Sequence, residues 1–176
     1  MNLDQARKIF ERDVLASNAD CVTVEAATQE FPSCFAFFYQ SKNFLETGRF
    51  SEVLIGQGPV LISREDGRVF ETGSAFPVEH YVEAFEASGD PFGVPTATVK
   101  IVSWNEGAAK VAATKLIKAK SGLGLSEAKA VVDNALSNRI SAFSAGTVQD
   151  AKEAVLKLKE YGFVATQLWR KKCDEE

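Results

Sequence analysis

The single histidine, His80, is the side chain best suited to acid–base chemistry, because imidazole is the group whose ordinary pKa lies closest to neutrality. It stands next to Glu79 and near Glu83 in a segment with the apolar spacing of a helix. A nucleophilic triad would also need a serine or cysteine beside the imidazole, and no sequence pattern supplies one. We therefore interpret His80 as a surface residue and predict no catalytic site around it.

Two further patterns could carry chemistry but are explained by local structure. The carboxylate pairs Glu11/Asp13 and Glu65/Asp66 fall on a predicted helix and a predicted turn. The glycines of residues 121–124 precede a helix, as in a P-loop, but the Lys-Ser/Thr of that loop is missing and the segment follows a helix instead of a strand. The sequence therefore predicts a binding protein without enzymatic activity.

The three cysteines, Cys21, Cys34 and Cys173, are odd in number and lack metal-binding spacing. Free thiols in a reducing cytoplasm are the simplest interpretation. No stretch reaches the roughly 18 apolar residues of a membrane-spanning helix, and the N-terminal MNLDQARKIFERD is unlike a signal peptide. We expect a cytoplasmic protein with no metal, no cofactor and no membrane partner.

The elements predicted for residues 1–92 form an αββββα pattern. They are a helix at Leu3–Leu15, strands at 21–31 and 34–40, a loop at 41–59, strands at 60–63 and 68–71, and a helix that begins at Pro77. The first two strands are expected to pair antiparallel across Pro32–Ser33, and Glu65-Asp66-Gly67 predicts a hairpin between the next two. The Gly- and Pro-rich segment 88–95 marks a domain boundary.

Residues 93–176 are organised around a helical hairpin at Lys110–Ala135, within a predicted βααβαβ order. Ser126 is expected to cap the second helix of the hairpin, and Thr147 with Asp150 the helix that follows. In the first helix, one face carries small apolar side chains and the other a valine among polar ones. The apolar face is Ala109, Ala112, Ala113 and Leu116; the opposite face is Lys110, Thr114, Lys115 and Lys118 around Val111. Val111 is either part of a docking surface or a scattered surface apolar residue.

The net charge of −4 conceals two halves of opposite sign. Residues 1–92 carry 15 Asp/Glu and 7 Lys/Arg, a net of −8, whereas residues 93–176 carry 9 and 13, a net of +4. Such asymmetry suggests different partners or an interface between the halves. The acidic half argues against nucleic-acid binding, and the basic half is too mildly charged to argue for it.

The hairpin sequence KVAATKLIKAKSGLGLSEAKAVV, at 110–132, closely resembles the helix–turn–helix of the C-terminal domain of the bacterial ribosomal stalk protein. The resemblance covers about residues 98–169, with departures at Thr114 and Ser126. In that family this face binds translational GTPases. The matching positions here are Lys110, Val111, Lys115, Lys118, Leu125, Glu127 and Lys129. The resemblance implies a stalk-like domain at residues 93–176.

Three short motifs of the N-terminal half occur in a recognisable order. FLETG lies at 44–48, Gly-x-Gly-Pro at 56–59 leads into VLISREDGRVF, and Gly73-Ser74 precedes an acidic helix with Tyr81. This order is similar to the immunity protein 35 (YrhB-like) family over about residues 3–92. The resemblance implies a small cytoplasmic protein that neutralises a cognate toxin from a bacterial competition system.

Two functions follow from these patterns, on an α+β fold of two small domains, 1–92 and 93–176. In the favoured one, the acidic domain covers a basic surface of a cognate toxin. The expected contact residues are Glu46, Glu52, Glu65 and Asp66, which could otherwise be ordinary solubilising charge. In the alternative, the protein is a translation-associated adaptor whose stalk-like domain binds a translational GTPase. That domain could also be a second binding module for the toxin.

Overall fold

The computed structural model describes residues 1–172, and the chain separates into two compact units, Met1–Phe92 and Gly93–Glu176. The α+β class predicted from the sequence is confirmed. The assignment of each half to a domain family of its own stays a prediction. The charged tail at 170–176 is predicted from its sequence to fray. Its last four residues, which include Cys173, lie outside the described residues.

The first unit is built on an antiparallel sheet of four strands in the order β2-β3-β5-β6, and β1 pairs with β4 in a separate ladder. Its helices and strands are α1 (Leu3–Asp13), β1 (Cys21–Thr23), β2 (Gln29–Glu30), β3 (Cys34–Phe37), β4 (Tyr39–Ser41), α2 (Lys42–Thr47), β5 (Gln57–Ser63), β6 (Val69–Gly73) and α3 (Val78–Ser88). The predicted antiparallel pairing across Pro32–Ser33 is confirmed, as is the hairpin of β5 and β6.

Two predictions for this unit were too simple. The strand predicted at 21–31 is interrupted by a 3-10 turn at Glu25–Ala27, and the one at 34–40 breaks at Phe38. The predicted loop at 41–59 contains α2, whose N-terminal cap is the Ser41 hydroxyl. A helix of six residues is too short to reveal a period of 3.6, so the sequence pattern could not indicate it.

The central strands β3 and β5 are buried on both faces because a helix covers each side of the sheet. On one side, α1 contributes Ala6 and Phe10, and its C-cap residue Val14 joins them; these pack with Phe35, Phe37, Val60 and Ile62. On the other, α3 contributes Val78, Tyr81, Val82 and Phe85, which pack with Cys34, Ala36 and Leu61. Alternate strand residues point to opposite faces, so the two clusters interleave along the same strands.

The β5–β6 hairpin begins where the two backbones approach too closely for a side chain. The register shifts between Gln57 and Val60, and a Cβ atom at Gly58 would lie 2.1 Å from the Gly73 carbonyl oxygen. The Thr72 hydroxyl donates a hydrogen bond to the Pro59 carbonyl at 2.6 Å in the same place. Glycine is therefore required at position 58 for steric reasons.

The second unit places three helices against one face of a three-stranded antiparallel sheet, with strand order β8-β7-β9. Its elements are β7 (Val94–Trp104), α4 (Lys110–Ser121), α5 (Leu125–Leu136), β8 (Ser141–Ser144), α6 (Val148–Glu160) and β9 (Phe163–Arg170), which confirms the predicted βααβαβ order. The core side of the sheet carries Val99, Ile101, Phe143 and Phe163. The predicted cap of α6 is present, since the Thr147 hydroxyl accepts a hydrogen bond from the Asp150 N–H at 3.0 Å.

The prediction for the faces of α4 was wrong by part of a turn. Thr114, expected on the exposed face, is only 7% exposed, and its hydroxyl donates to the Lys110 carbonyl at 2.9 Å. Ala113 and Ile117 share its buried face, whereas Ala109 is exposed. Because the threonine satisfies its own hydroxyl within the helix, it can be buried at little cost.

The predicted cap of α5 was also wrong. The N-cap residue is Gly124, whose N–H donates to the Glu127 carboxylate at 2.8 Å, and Ser126 lies inside the helix. Similarly, β8 begins at Ser141 instead of Arg139.

Candidate functional site

The structure separates the four acidic residues predicted to bind a partner into two pairs. Glu46 lies in α2 and Glu52 in the 3-10 turn that follows it, before β5 begins. Glu65 and Asp66 lie in the turn after β5 ends. The two pairs therefore lie beyond opposite ends of a strand of seven residues, which spans about 23 Å.

These four carboxylates differ in the ion pairs and hydrogen bonds that they form within the protein. Asp66 forms an ion pair with Arg68 at 2.5 Å, and hydrogen bonds from the Ser63 hydroxyl and from Arg68 hold the pKa of its carboxyl below the ordinary value. Glu52 accepts a hydrogen bond from the Thr47 hydroxyl at 2.8 Å. Glu46 and Glu65 are exposed and have no basic partner within residues 1–172. Asp66 thus stabilises its own turn, while the other three keep negative charge available to a partner.

The first unit as a whole has few cations left to neutralise its acids. Four of its seven Lys/Arg residues are already engaged in ion pairs inside the described chain. These pairs are Arg7–Glu25, Arg12–Asp13, Arg64–Glu30 and Arg68–Asp66. A fifth cation, Lys42, donates to the Ala19 carbonyl at 2.8 Å. The excess of carboxylates therefore gives this unit a negative surface.

The segment that carries Glu46 and Glu52 also exposes four large apolar side chains, which we call the loop patch: Leu45, Phe50, Leu54 and Ile55. Phe50 is 78% exposed and Ile55 77% exposed. Sequence reasoning singled out FLETG in this segment but missed Phe50 and Ile55. The available signal was large apolar residues in a stretch without helical or strand periodicity.

Hydrogen bonds hold the backbone of this segment in place. The Leu54 N–H donates to the Gln40 side-chain oxygen at 2.7 Å, and the Gln40 amide donates to the Leu54 carbonyl at 3.4 Å. The Ser74 N–H donates to the Gly56 carbonyl at 3.1 Å, which fastens the end of the segment to the turn after β6. The loop patch is therefore presented on an anchored backbone.

In the second unit, part of the predicted lysine face is present as one stripe on α4. Val111, Lys115 and Lys118 follow at i, i+4 and i+7, all three are exposed, and Val111 is 67% exposed. Lys110 instead points to α5, where its ammonium group lies 2.5 Å from the Asp133 carboxylate. The stripe thus keeps two of the three predicted α4 lysines.

The α5 members of the predicted face lie at the other end of the hairpin from Val111. Leu125 and Lys129 are exposed in the first two turns of α5, and Glu127 caps the helix. Because the hairpin turn is short, α5 begins beside the C-terminal end of α4, whereas Val111 lies about 15 Å from that end along the helix axis.

Residues 1–172 contain no group of three or more His, Cys, Asp or Glu side chains arranged to hold a metal ion. His80 stacks on Phe76, with ring centroids 4.2 Å apart. Cys21 and Cys34 are free thiols, and burial raises the pKa of the Cys34 thiol. Among the described helices, none has the length and apolar character needed to cross a bilayer.

Comparison with known proteins identifies the family of this chain. Residues 4–107 match the family described as immunity protein 35. The chain is also 31% identical over 78 residues to the uncharacterized protein YrhB of Escherichia coli strain K12, an alignment that covers 44% of this chain and 83% of YrhB. No solved structure matches the chain. These findings give no support to the resemblance of residues 98–169 to the ribosomal stalk protein. Because the family match spans more than half of the 176 residues, the chain belongs to the immunity protein 35 family.

Proposed function

We propose that this protein neutralises a cognate bacterial toxin by binding it directly, without catalysing a reaction. Family membership supports the class of function. The observation that carries the mechanism is the excess of unpaired carboxylates on the first unit, which favours a partner with a basic surface. Toxins that act on nucleic acids or nucleotides need such a surface for their own substrates.

Glu46, Glu52 and Glu65 are the proposed electrostatic contacts, and Asp66 contributes through the turn that it stabilises. Exposed charges at the edge of an interface act mainly on the rate of association, because they steer a complementary partner at long range. Glu46 and Glu52 lie beyond one end of β5, and Glu65 lies beyond the other. A single toxin would therefore have to span the length of this strand, about 23 Å, to contact both groups.

The experiment is capture of the toxin by the full chain, followed by a growth test. The tagged chain is incubated with lysate of the source bacterium, and the captured proteins are identified and expressed singly. We expect one of them to arrest growth alone and to be neutralised when the chain is co-expressed. If no captured protein arrests growth, or if co-expression fails to restore growth, the proposed function is wrong.

A charge reversal then tests the mechanism. Glu46→Lys with Glu65→Lys should slow association with the captured toxin roughly tenfold or more at low salt. Each single variant is compared with Glu106→Lys, which changes the charge by the same amount. Glu106 suits this comparison because it is an exposed acid of the second unit with no basic partner in the described chain. Association rates equal to that of Glu106→Lys for both single variants would exclude electrostatic steering by the first unit.

A second candidate function, a translation-associated adaptor, depends on the second unit. The observation that favours it is the stripe on one face of α4 in which the exposed Val111 is followed by Lys115 and Lys118. The test is binding of the full chain to a purified bacterial elongation-factor GTPase. Val111→Asp with Lys118→Glu should abolish binding, whereas Ile140→Asp, at another exposed apolar position of the unit, should not. Failure of the unaltered chain to bind would reject this candidate.

A further inference from the structure

We infer that the loop patch is the anchor that the first unit inserts into its toxin, and that the toxin surface it fits is an apolar cleft with a basic rim. This inference rests on the proposed function and adds to it the segment and the chemistry of the contact. The patch is Leu45, Phe50, Leu54 and Ile55, as defined above.

The patch concentrates apolar surface where the fold does not need it. Phe50 and Ile55 are the most exposed large apolar side chains in residues 1–172. Neither belongs to either core cluster of the unit. The four side chains fall within eleven residues of the chain. Exposed apolar residues concentrated in one segment typically mark an interaction site, and a few aromatic and large aliphatic anchors carry most of the affinity of an interface.

The backbone of the patch is already ordered before any partner arrives. Gln40 holds both the N–H and the carbonyl of Leu54, as described above. The Thr47 hydroxyl oxygen lies 2.8 Å from both the Asn43 carbonyl and the Glu52 carboxylate, and its single hydrogen can be donated to either one, so it ties α2 to the following 3-10 turn. A preordered segment loses little conformational freedom on binding, so more of its apolar burial appears as affinity.

The negative charge of the first unit determines which class of partner can bind the loop patch. In a symmetric contact between two copies, the same surface would face itself, and two units of net charge −8 would meet with Glu46 and Glu52 repeated on both sides. An anionic membrane surface or a nucleic acid would be repelled for the same reason. A basic protein is attracted, and a cleft in such a protein would accept Phe50 and Ile55 while its rim meets the two glutamates.

The experiment measures binding of the full chain to the growth-arresting protein identified by capture, in a catalytically inactivated form. Phe50→Ser and Ile55→Ser are each compared with Leu156→Ser, which removes an exposed apolar side chain from the second unit. We expect each patch variant to weaken binding roughly 30-fold or more, and the control to stay within about twofold. Circular dichroism should show unchanged folding for all three, since the side chains are exposed.

The possible outcomes separate this inference from the proposed function. If the unaltered chain neutralises the toxin and both patch variants bind as tightly, the inference is overturned while the proposed function stands. If the unaltered chain does not bind any growth-arresting protein, both fail. If sedimentation shows that the chain alone forms dimers that Phe50→Ser dissociates, the patch is occupied by a second copy and the inference is also overturned.

Discussion

Replacing Gly58 by alanine tests the close approach of the β5 and β6 backbones. The new Cβ atom would lie 2.1 Å from the Gly73 oxygen, 2.6 Å from its carbonyl carbon and 2.7 Å from the Thr72 hydroxyl. Two of these atoms are backbone of the paired strand, which cannot move without breaking the ladder. Overpacking of a well-packed core costs about 1–3 kcal/mol, and a backbone clash places this variant at the upper end.

The size of this effect can be read from urea unfolding. With a denaturant dependence of about 1–3 kcal/mol/M, a loss of about 3 kcal/mol lowers the urea midpoint by about 1–3 M. Both tryptophans, Trp104 and Trp169, belong to the second unit, so tryptophan fluorescence reports that unit and far-ultraviolet circular dichroism reports both. We expect Gly58→Ala to lower the urea midpoint of the first unit, which appears in the dichroism transition, and to leave the midpoint of the fluorescence transition unchanged.

Gly73→Ala is the matched control for Gly58→Ala on the facing strand. Its Cβ atom would meet only the Gly56 carbonyl oxygen, at 3.7 Å, which is ordinary van der Waals contact. The alanine also restricts the unfolded chain, so the variant should be as stable as the original or more stable by up to about 1 kcal/mol. Equal urea midpoints for Gly58→Ala and Gly73→Ala would refute the steric argument.

Two further predictions concern ionisable groups. The Lys120 ammonium lies 2.7 Å from Asp150 and 2.6 Å from Glu153, and its hydrogen bonds lower the pKa of both carboxyl groups. The stability from these contacts is present at neutral pH and is lost as the pH falls through the lowered pKa values. Lys120→Met should therefore flatten the decrease in thermal midpoint between about pH 5 and pH 3. An unchanged pH profile of the thermal midpoint would contradict this. Cys34 is fully buried and its thiol pKa is raised by burial, so a thiol reagent should label its peptide at least about a thousandfold more slowly in the native chain than in urea, as measured by mass spectrometry. Labelling at similar rates would mean that this core opens readily.

Features that depend on neighbouring residues in the chain were predictable. The apolar spacing of Leu3, Ala6, Phe10 and Val14 places them on one side of the predicted first helix. Ala6, Phe10 and Val14 are buried, and the half-buried Leu3 packs against the same cluster. The turn chemistry of Asp66-Gly67 indicated the β5–β6 hairpin, where Gly67 has a φ of +73°. In such cases, short-range sterics and hydrogen bonds decide the structure.

Features that depend on distant parts of the chain were not predictable in the same way. The face of α4 that is buried is chosen by the sheet and by α6, and small residues occur on both sides of the helix. Thr114 was therefore placed on the wrong face. Ser126 was predicted to cap α5, but the Glu127 side chain accepts a hydrogen bond from the Gly124 N–H and so places the start of the helix two residues earlier.

For the candidate site, the sequence indicated the kinds of residues but not their arrangement. The acidic character of residues 1–92 was visible in the composition, whereas the separation of Glu46 from Glu65 depends on the course of β5. The exposure of Phe50 and Ile55 depends on which neighbours fail to cover them, and no local pattern reports that.

The position of β7 has a practical consequence for producing parts of this protein. The family match ends at residue 107, beyond the end of the first unit at Phe92, and β7 falls in the difference. A gene trimmed at the family boundary would keep β7 but remove both of its sheet neighbours, leaving two unpaired edges and uncovering Val99 and Ile101. Strands of this kind promote aggregation. We expect the trimmed product to precipitate during purification, whereas a cut after Phe92 keeps the first unit whole.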